Sequence, residues 1–159
     1  MRYIATLIVP LIAIASARVS AATTQDSACA PLRAFAASVP RGQTKSLKFH
    51  TSWLTDFKGG NPRAMGAFTR CMDGGYAPAH AVCDYFIKHG AVEFAGNNAE
   101  RALACLLPGT RFGQNALSLD ALDVSFYYGT PQRGSNITLS FDQDPQMGGM
   151  VLSITAQGY

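Results

Sequence analysis

The densest run of chemically capable side chains is RCMDGGYAPAHAVCDYFIKHG, Arg70 to Gly90, which holds Cys71, Cys83, His80, His89, Asp73 and Asp84. Structural zinc takes Cys and His in closely spaced pairs, C-x-x-C above all. Cys71 and Cys83 are too far apart for that pattern, and the chain contains no C-x-x-C. His80 and Cys83 stand one helical turn apart, but Cys83 falls on an apolar stripe and His80 points away from it. A nucleophilic cysteine needs a free thiolate beside a histidine. The chain has four cysteines, Cys29, Cys71, Cys83 and Cys105. An even number in an exported protein reads as disulfides rather than as reactive thiols. His80 with Asp84, and His89 with Tyr85, share exposed helix faces and lack a third partner for triad chemistry. Neither a metal site nor a cofactor is expected.

Export follows from the first residues. Met1, Arg2 and Tyr3 make a short positive segment, Ile4 to Ala17 is apolar, and Val19 to Ala22 are small. This pattern predicts a secretory signal over residues 1–22, cut near Ala21 or Ala22. No Cys lies at that point to carry a lipid anchor, and no later stretch is long and apolar enough to span a bilayer. The predicted location is the periplasm or the medium. Of 13 Lys and Arg against 10 Asp and Glu, Arg2 and Arg18 leave with the signal and no acid does. The remaining domain, 23–159, is close to neutral, which argues against nucleic acid or anionic lipid as a partner. It is long enough to fold as one domain with its own core.

Hydrophobic period places the elements. Cys29, Leu32, Phe35, Ala36 and Val39 recur at helical spacing after Asp26 or Ser27 as cap, with Pro31 in the first turn. Thr44 to Trp53 alternates as a half-buried strand and is expected at one edge of a sheet. Asn61 followed by Pro62 predicts a helix to Met72, with Met65, Phe68 and Met72 on one face. A further helix is expected from Pro78 to His89, with Val82, Cys83, Phe86 and Ile87 as its stripe. Another begins at Asn97 with Glu100 three residues on, like a capping box. Beyond Ser118 the period changes to two. Leu122 to Tyr128, Ile137 to Phe141 and Met150 to Ala156 predict three consecutive antiparallel strands. The fold class is α+β: disulfide-stapled helices on the apolar face of an antiparallel sheet of about four strands, the other face rich in hydroxyls.

Four cysteines allow three pairings. If the helices around Cys83 and Cys105 form an antiparallel hairpin, the two residues stand symmetrically about Phe94. That geometry favours Cys83–Cys105, leaving Cys29–Cys71.

Elsewhere, no G-x-S-x-G, H-E-x-x-H or phosphate-binding glycine loop occurs. His50, on the polar face of the first strand, is a candidate general base without an adjacent nucleophile. Asp142-x-Asp144 starts like a calcium loop but lacks the later oxygen ligands, so it reads as a turn. Two loops mix aromatic, basic, amide and glycine residues: Asp56 to Asn61, with Lys58, and Gly109 to Asn115, with Arg111, Phe112, Gln114 and Asn115. Such loops serve as contact surfaces, and Lys58, Arg111, Phe112, Gln114 and Asn115 are the candidate partner-binding residues. Phe112 could equally turn into the core.

Cys71, Gly75-Tyr76, Tyr85-Phe86, Lys88-His89, Ala99, Ala102-Leu103 and Cys105 together resemble the helical core of Tai-type periplasmic immunity proteins. Those proteins neutralise amidase effectors of type VI secretion. The resemblance covers about a quarter of the chain, and the β-meander departs from that mainly helical family. It implies an inhibitor that plugs an enzyme's cleft. The expected function is therefore a small exported binding protein whose partner is a cell-wall-degrading toxin or hydrolase. A small exported hydrolase using a histidine, and an envelope or host-contact protein, are the alternatives.

Overall fold

The computed structural model describes residues 26–112 and 119–159. The signal expected over 1–22 lies outside them. The elements run α1 (Asp26–Ser38), β1 (Thr44–Trp53), β2 (Ala67–Met72), α2 (Ala77–His89), α3 (Gly96–Leu106), β3 (Leu122–Thr130), β4 (Arg133–Gln143) and β5 (Met150–Gly158). The five strands form one antiparallel sheet in the order β2-β1-β5-β4-β3. The meander predicted from period-two alternation is present. Its inward residues Ile137, Leu139, Phe141, Leu152, Ile154 and Ala156 are buried and meet Leu47 and Phe49 of β1 in one core.

The helices cover that face through stripes at three- and four-residue spacing. Leu32, Phe35 and Ala36 of α1, Val82 and Phe86 of α2, and Ala99 and Ala102 of α3 are fully buried. Each large apolar side chain so buried stabilises the fold by about 1.5–3 kcal/mol. Phe86 stacks on Phe49 with ring centroids 5.2 Å apart, locking α2 to the sheet. Gly90 ends α2 where a side chain could not fit: a Cβ there would collide with the Phe86 carbonyl and lie 2.7 Å from the Phe49 ring. Among the described residues no helix is long and apolar enough to cross a membrane.

Four expectations are corrected. The residues from Pro62 to Met72 are not a helix. Asn61 does accept the Arg63 N–H on its side chain (3.0 Å), and the Ala64 N–H reaches the Asn61 carbonyl (3.0 Å). That single turn does not propagate, because the chain beyond Gly66 pairs with β1, from Ala67 opposite Trp53 to Met72 opposite Lys48. β1 therefore lies inside the sheet, between β2 and β5, rather than at its edge. Pro31 falls in the second turn of α1, since the helix begins at Asp26. No capping box starts α3: the residue before it makes no side-chain cap. Asn98 instead clasps the connection, accepting the Ala91 N–H (2.8 Å) and donating to the Ala91 carbonyl (2.7 Å).

The disulfide pairing is corrected as well. The bridges are Cys29–Cys105 and Cys71–Cys83, not Cys83–Cys105 and Cys29–Cys71. α1 packs against both α2 and α3, so Cys105 meets α1 rather than α2. Cys71, now on a strand, is followed by the tight turn Asp73–Tyr76 that returns the chain as α2 and brings Cys83 over it. The four cysteines are all oxidised.

Candidate functional site

His50 sits on the face of β1 opposite the core, where the sequence pattern placed it, but it is not at the surface: only 3 % of it is exposed. The segment between β1 and β2 folds back over it. Phe57 is buried with its ring edge-on to the imidazole, centroids 6.4 Å apart. Arg70, the register partner of His50 on β2, lies over the other side of the Phe57 ring at 5.2 Å. The segment is shaped by Asp56, whose carboxylate accepts the N–H groups of Phe57 (2.7 Å) and Asn61 (2.9 Å). It is stitched to the β4–β5 turn by the Lys58 N–H on the Met147 carbonyl (2.7 Å) and the Lys58 ammonium on the Pro145 carbonyl (2.6 Å).

That turn is organised by Asp144, as its sequence suggested. One carboxylate oxygen accepts the N–H groups of Gln146 (2.8 Å) and Met147 (3.0 Å). The other lies 2.8 Å from His50 Nδ1. The contact is off the line of a ring N–H, and both imidazole nitrogens are buried without a well-directed hydrogen bond. Burial disfavours the imidazolium and lowers the His50 pKa. Asp144 only partly offsets this, and the charges of Lys48 and Arg70 add to the lowering. Asp144 is held below the usual carboxylate range, first by the Met147 N–H and then by Gln146 and His50. His50 and Asp144 have the pairing of a base and its orienting acid. A base sealed beneath Phe57 reaches no substrate, so the pair acts as a clamp between β1, the covering segment and the turn.

The Arg70–Gly90 stretch contains a second histidine cluster, this one exposed. His80 Nδ1 is 2.7 Å from Asp73 Oδ2, and its Nε2 is 3.7 Å from Asp84. The hydrogen bond to Asp73 raises the His80 pKa, with Asp84 assisting. Asp73 is lowered by the Gly75 N–H and then by His80. The Asp84 partner follows from helical spacing; Asp73 joins because the turn before α2 folds back on the helix. Among the described residues no group of three or more His, Cys, Asp or Glu could hold a metal ion.

Three of the predicted contact residues lie among the described ones. Lys58 is exposed but spends its ammonium on Pro145. Arg111 is exposed, whereas Phe112 is half-buried against the core. Gln114 and Asn115 lie outside the described residues.

Exposed apolar side chains missed in the sequence stand at the end of β1. Trp53 is 45 % exposed, Leu54 51 % and Met65 82 %. The Leu54 N–H bonds the Gly66 carbonyl (2.8 Å), which holds Met65 beside it. Leu54 has φ +72° and is the non-glycine residue with left-handed backbone among the described residues. An ordinary L-residue pays about 1–2 kcal/mol for that conformation. Trp53 also lines a cleft of ≈ 550 Å³, together with Thr51, Glu93, Asp120, Gln143 and Met150, among others. Gly149 (φ +73°) closes tightly on β1, where a Cβ would collide with the Thr51 carbonyl. No protein-family model, curated protein or solved structure matches this chain.

Proposed function

We propose that this is a small exported binding protein that inhibits a cell-wall-degrading toxin or hydrolase by blocking its cleft. The observation that carries the reading is the exposed apolar end of β1: Trp53 at the mouth of a cleft that Glu93 and Asp120 also line, with Leu54 and Met65 exposed next to it. Aromatic and methionine side chains are enriched at the centres of protein interfaces, and a few such anchors carry most of the binding energy. Backbone strain at Leu54 holds an apolar side chain out in water, an arrangement that favours contact over stability. Two disulfides suit a small domain working in an oxidising compartment. The sealing of His50 takes that histidine out of the alternative of a histidine hydrolase.

The test is a photocrosslinking amino acid placed at Trp53, with a second one at Ser125 on the far side of the sheet as control, in cells secreting the protein. The reading expects a wall hydrolase crosslinked from position 53 and not from 125, whose purified activity falls to zero at one equivalent of the protein. A crosslinked partner whose activity is unchanged, or equal crosslinking from both positions, contradicts it.

A further inference from the structure

The sheet has a second face, and its composition is unusual. The three helices of the described residues lie on the other side, so the outward side chains of β3, β4, β5 and the start of β1, short of the covered His50, form a broad open surface. Register aligns them in rows across the strands. One row is Tyr127, Asn136, Gln157 and Thr44; the next is Ser125, Thr138, Thr155 and Ser46. The third row runs from Asp123 to Lys48, so the charges of these rows are one of each sign and cancel. Everything between them is hydroxyl or amide. One pair of these hydroxyls is already ordered, Ser125 Oγ lying 3.0 Å from Thr138 Oγ1.

One aromatic stands over this field. Tyr127 is 78 % exposed, its ring at 82° to that of Tyr159 with centroids 6.0 Å apart. Tyr159 is fixed: its hydroxyl donates to the Thr130 carbonyl (3.1 Å), and it packs so closely on Gly134 that a Cβ there would lie 2.6 Å from that hydroxyl. Tyr127, Tyr159, Thr130 and Pro131 border a groove of ≈ 430 Å³ at the end of the rows.

We propose that this face binds a neutral polysaccharide, with one sugar ring stacked on Tyr127 and its neighbours lying along the hydroxyl and amide rows. A pyranose presents an apolar C–H face and a rim of hydroxyls, the complement of an aromatic platform beside ordered donors and acceptors. The balanced charge offers nothing to a polyanion. Serine and threonine are poor protein hot spots, and the rows carry no apolar anchor besides the tyrosine. This surface is separate from the apolar end of β1 around Trp53 and does not depend on the inhibitor reading.

The experiment is calorimetric titration of the disulfide-intact protein with chitohexaose and cellohexaose, using the sulfated glycan heparin as the charged comparison. Saturable binding of at least one neutral hexasaccharide is expected, weakened about tenfold or more by Tyr127→Ala. Thr138→Val should weaken it less, and Trp53→Ala should leave it unchanged. Circular dichroism checks that each variant is folded. No binding of either hexasaccharide, tighter binding of heparin, or loss of binding in Trp53→Ala with retention in Tyr127→Ala would overturn the proposal.

Discussion

At the scale of single residues, two histidines of one small domain are tuned in opposite directions. His50 is buried and its folded pKa lies below the ordinary value of about 6.5. The unfolded chain takes up that proton first, so stability falls as pH drops through the ordinary imidazole range towards the lower folded value. His80 is exposed and its pKa is raised by Asp73. Its contribution is fully present below the ordinary imidazole value and is lost as pH rises through the raised folded value. Urea unfolding between pH 5 and 8 should therefore show a change of stability with pH that His50→Gln makes less positive and His80→Gln makes more positive. Parallel curves for both variants would contradict these assignments. Asp144→Ala should cost about 1–3 kcal/mol, since it strips two N–H groups of the turn of their acceptor and leaves His50 without its acid. Leu54 is the opposite case. Leu54→Gly removes the left-handed strain and should raise the melting temperature while weakening partner binding.

Among the elements, the two bridges do different work. Cys29–Cys105 closes a loop with a sequence separation of 76 and ties α1 to α3; Cys71–Cys83 closes one of 12 and ties β2 to α2. Chain entropy assigns about 4.5 kcal/mol to the first and about 2.8 kcal/mol to the second. Denaturant titration of the paired Cys→Ser variants should reproduce that order, and equal losses would show that strain or residual structure dominates instead. The elements also show what the sequence could convey. The strict alternation of Ile137, Leu139 and Phe141 with Thr138 and Ser140 leaves one interpretation, and the sheet has it. The segment before Cys71 was ambiguous because Met65, Phe68 and Met72 fit helical spacing, while Phe68 and Met72 equally share one face of a strand. Pairing with β1 decides it, and pairing is not a local property. The expected disulfides fail for a related reason: a hairpin of α2 and α3 would set Cys83 against Cys105, but α1 packs against both helices and takes Cys105.

Taken whole, the described residues form a three-helix layer on a sheet, with the apolar end of β1 around Trp53 and the hydroxyl face exposed. The apolar end of β1 was not legible in the sequence. Trp53 read as an inward residue of an alternating strand, and the left-handed turn at Leu54 has no glycine or asparagine to announce it. The His50–Asp144 clamp joins residues far apart in the chain, of which the sequence alone offers one as a candidate base and the other as a turn residue. The Ser and Thr of the sheet were legible, but their alignment into rows required the register. Because the apolar end of β1 and the hydroxyl face are separate, Tyr127→Ala should leave inhibition intact and Trp53→Ala should leave glycan binding intact.

The most direct test is a titration of the crosslinked hydrolase, acting on purified cell wall, with wild-type protein and with Leu54→Gly. Hydrolysis should cease at one equivalent of wild type, and Leu54→Gly, although the more stable protein, should need about tenfold more or worse. Continued hydrolysis at excess wild type, or equal inhibition by Leu54→Gly, would contradict the claim that this strained end of β1 is what the partner meets.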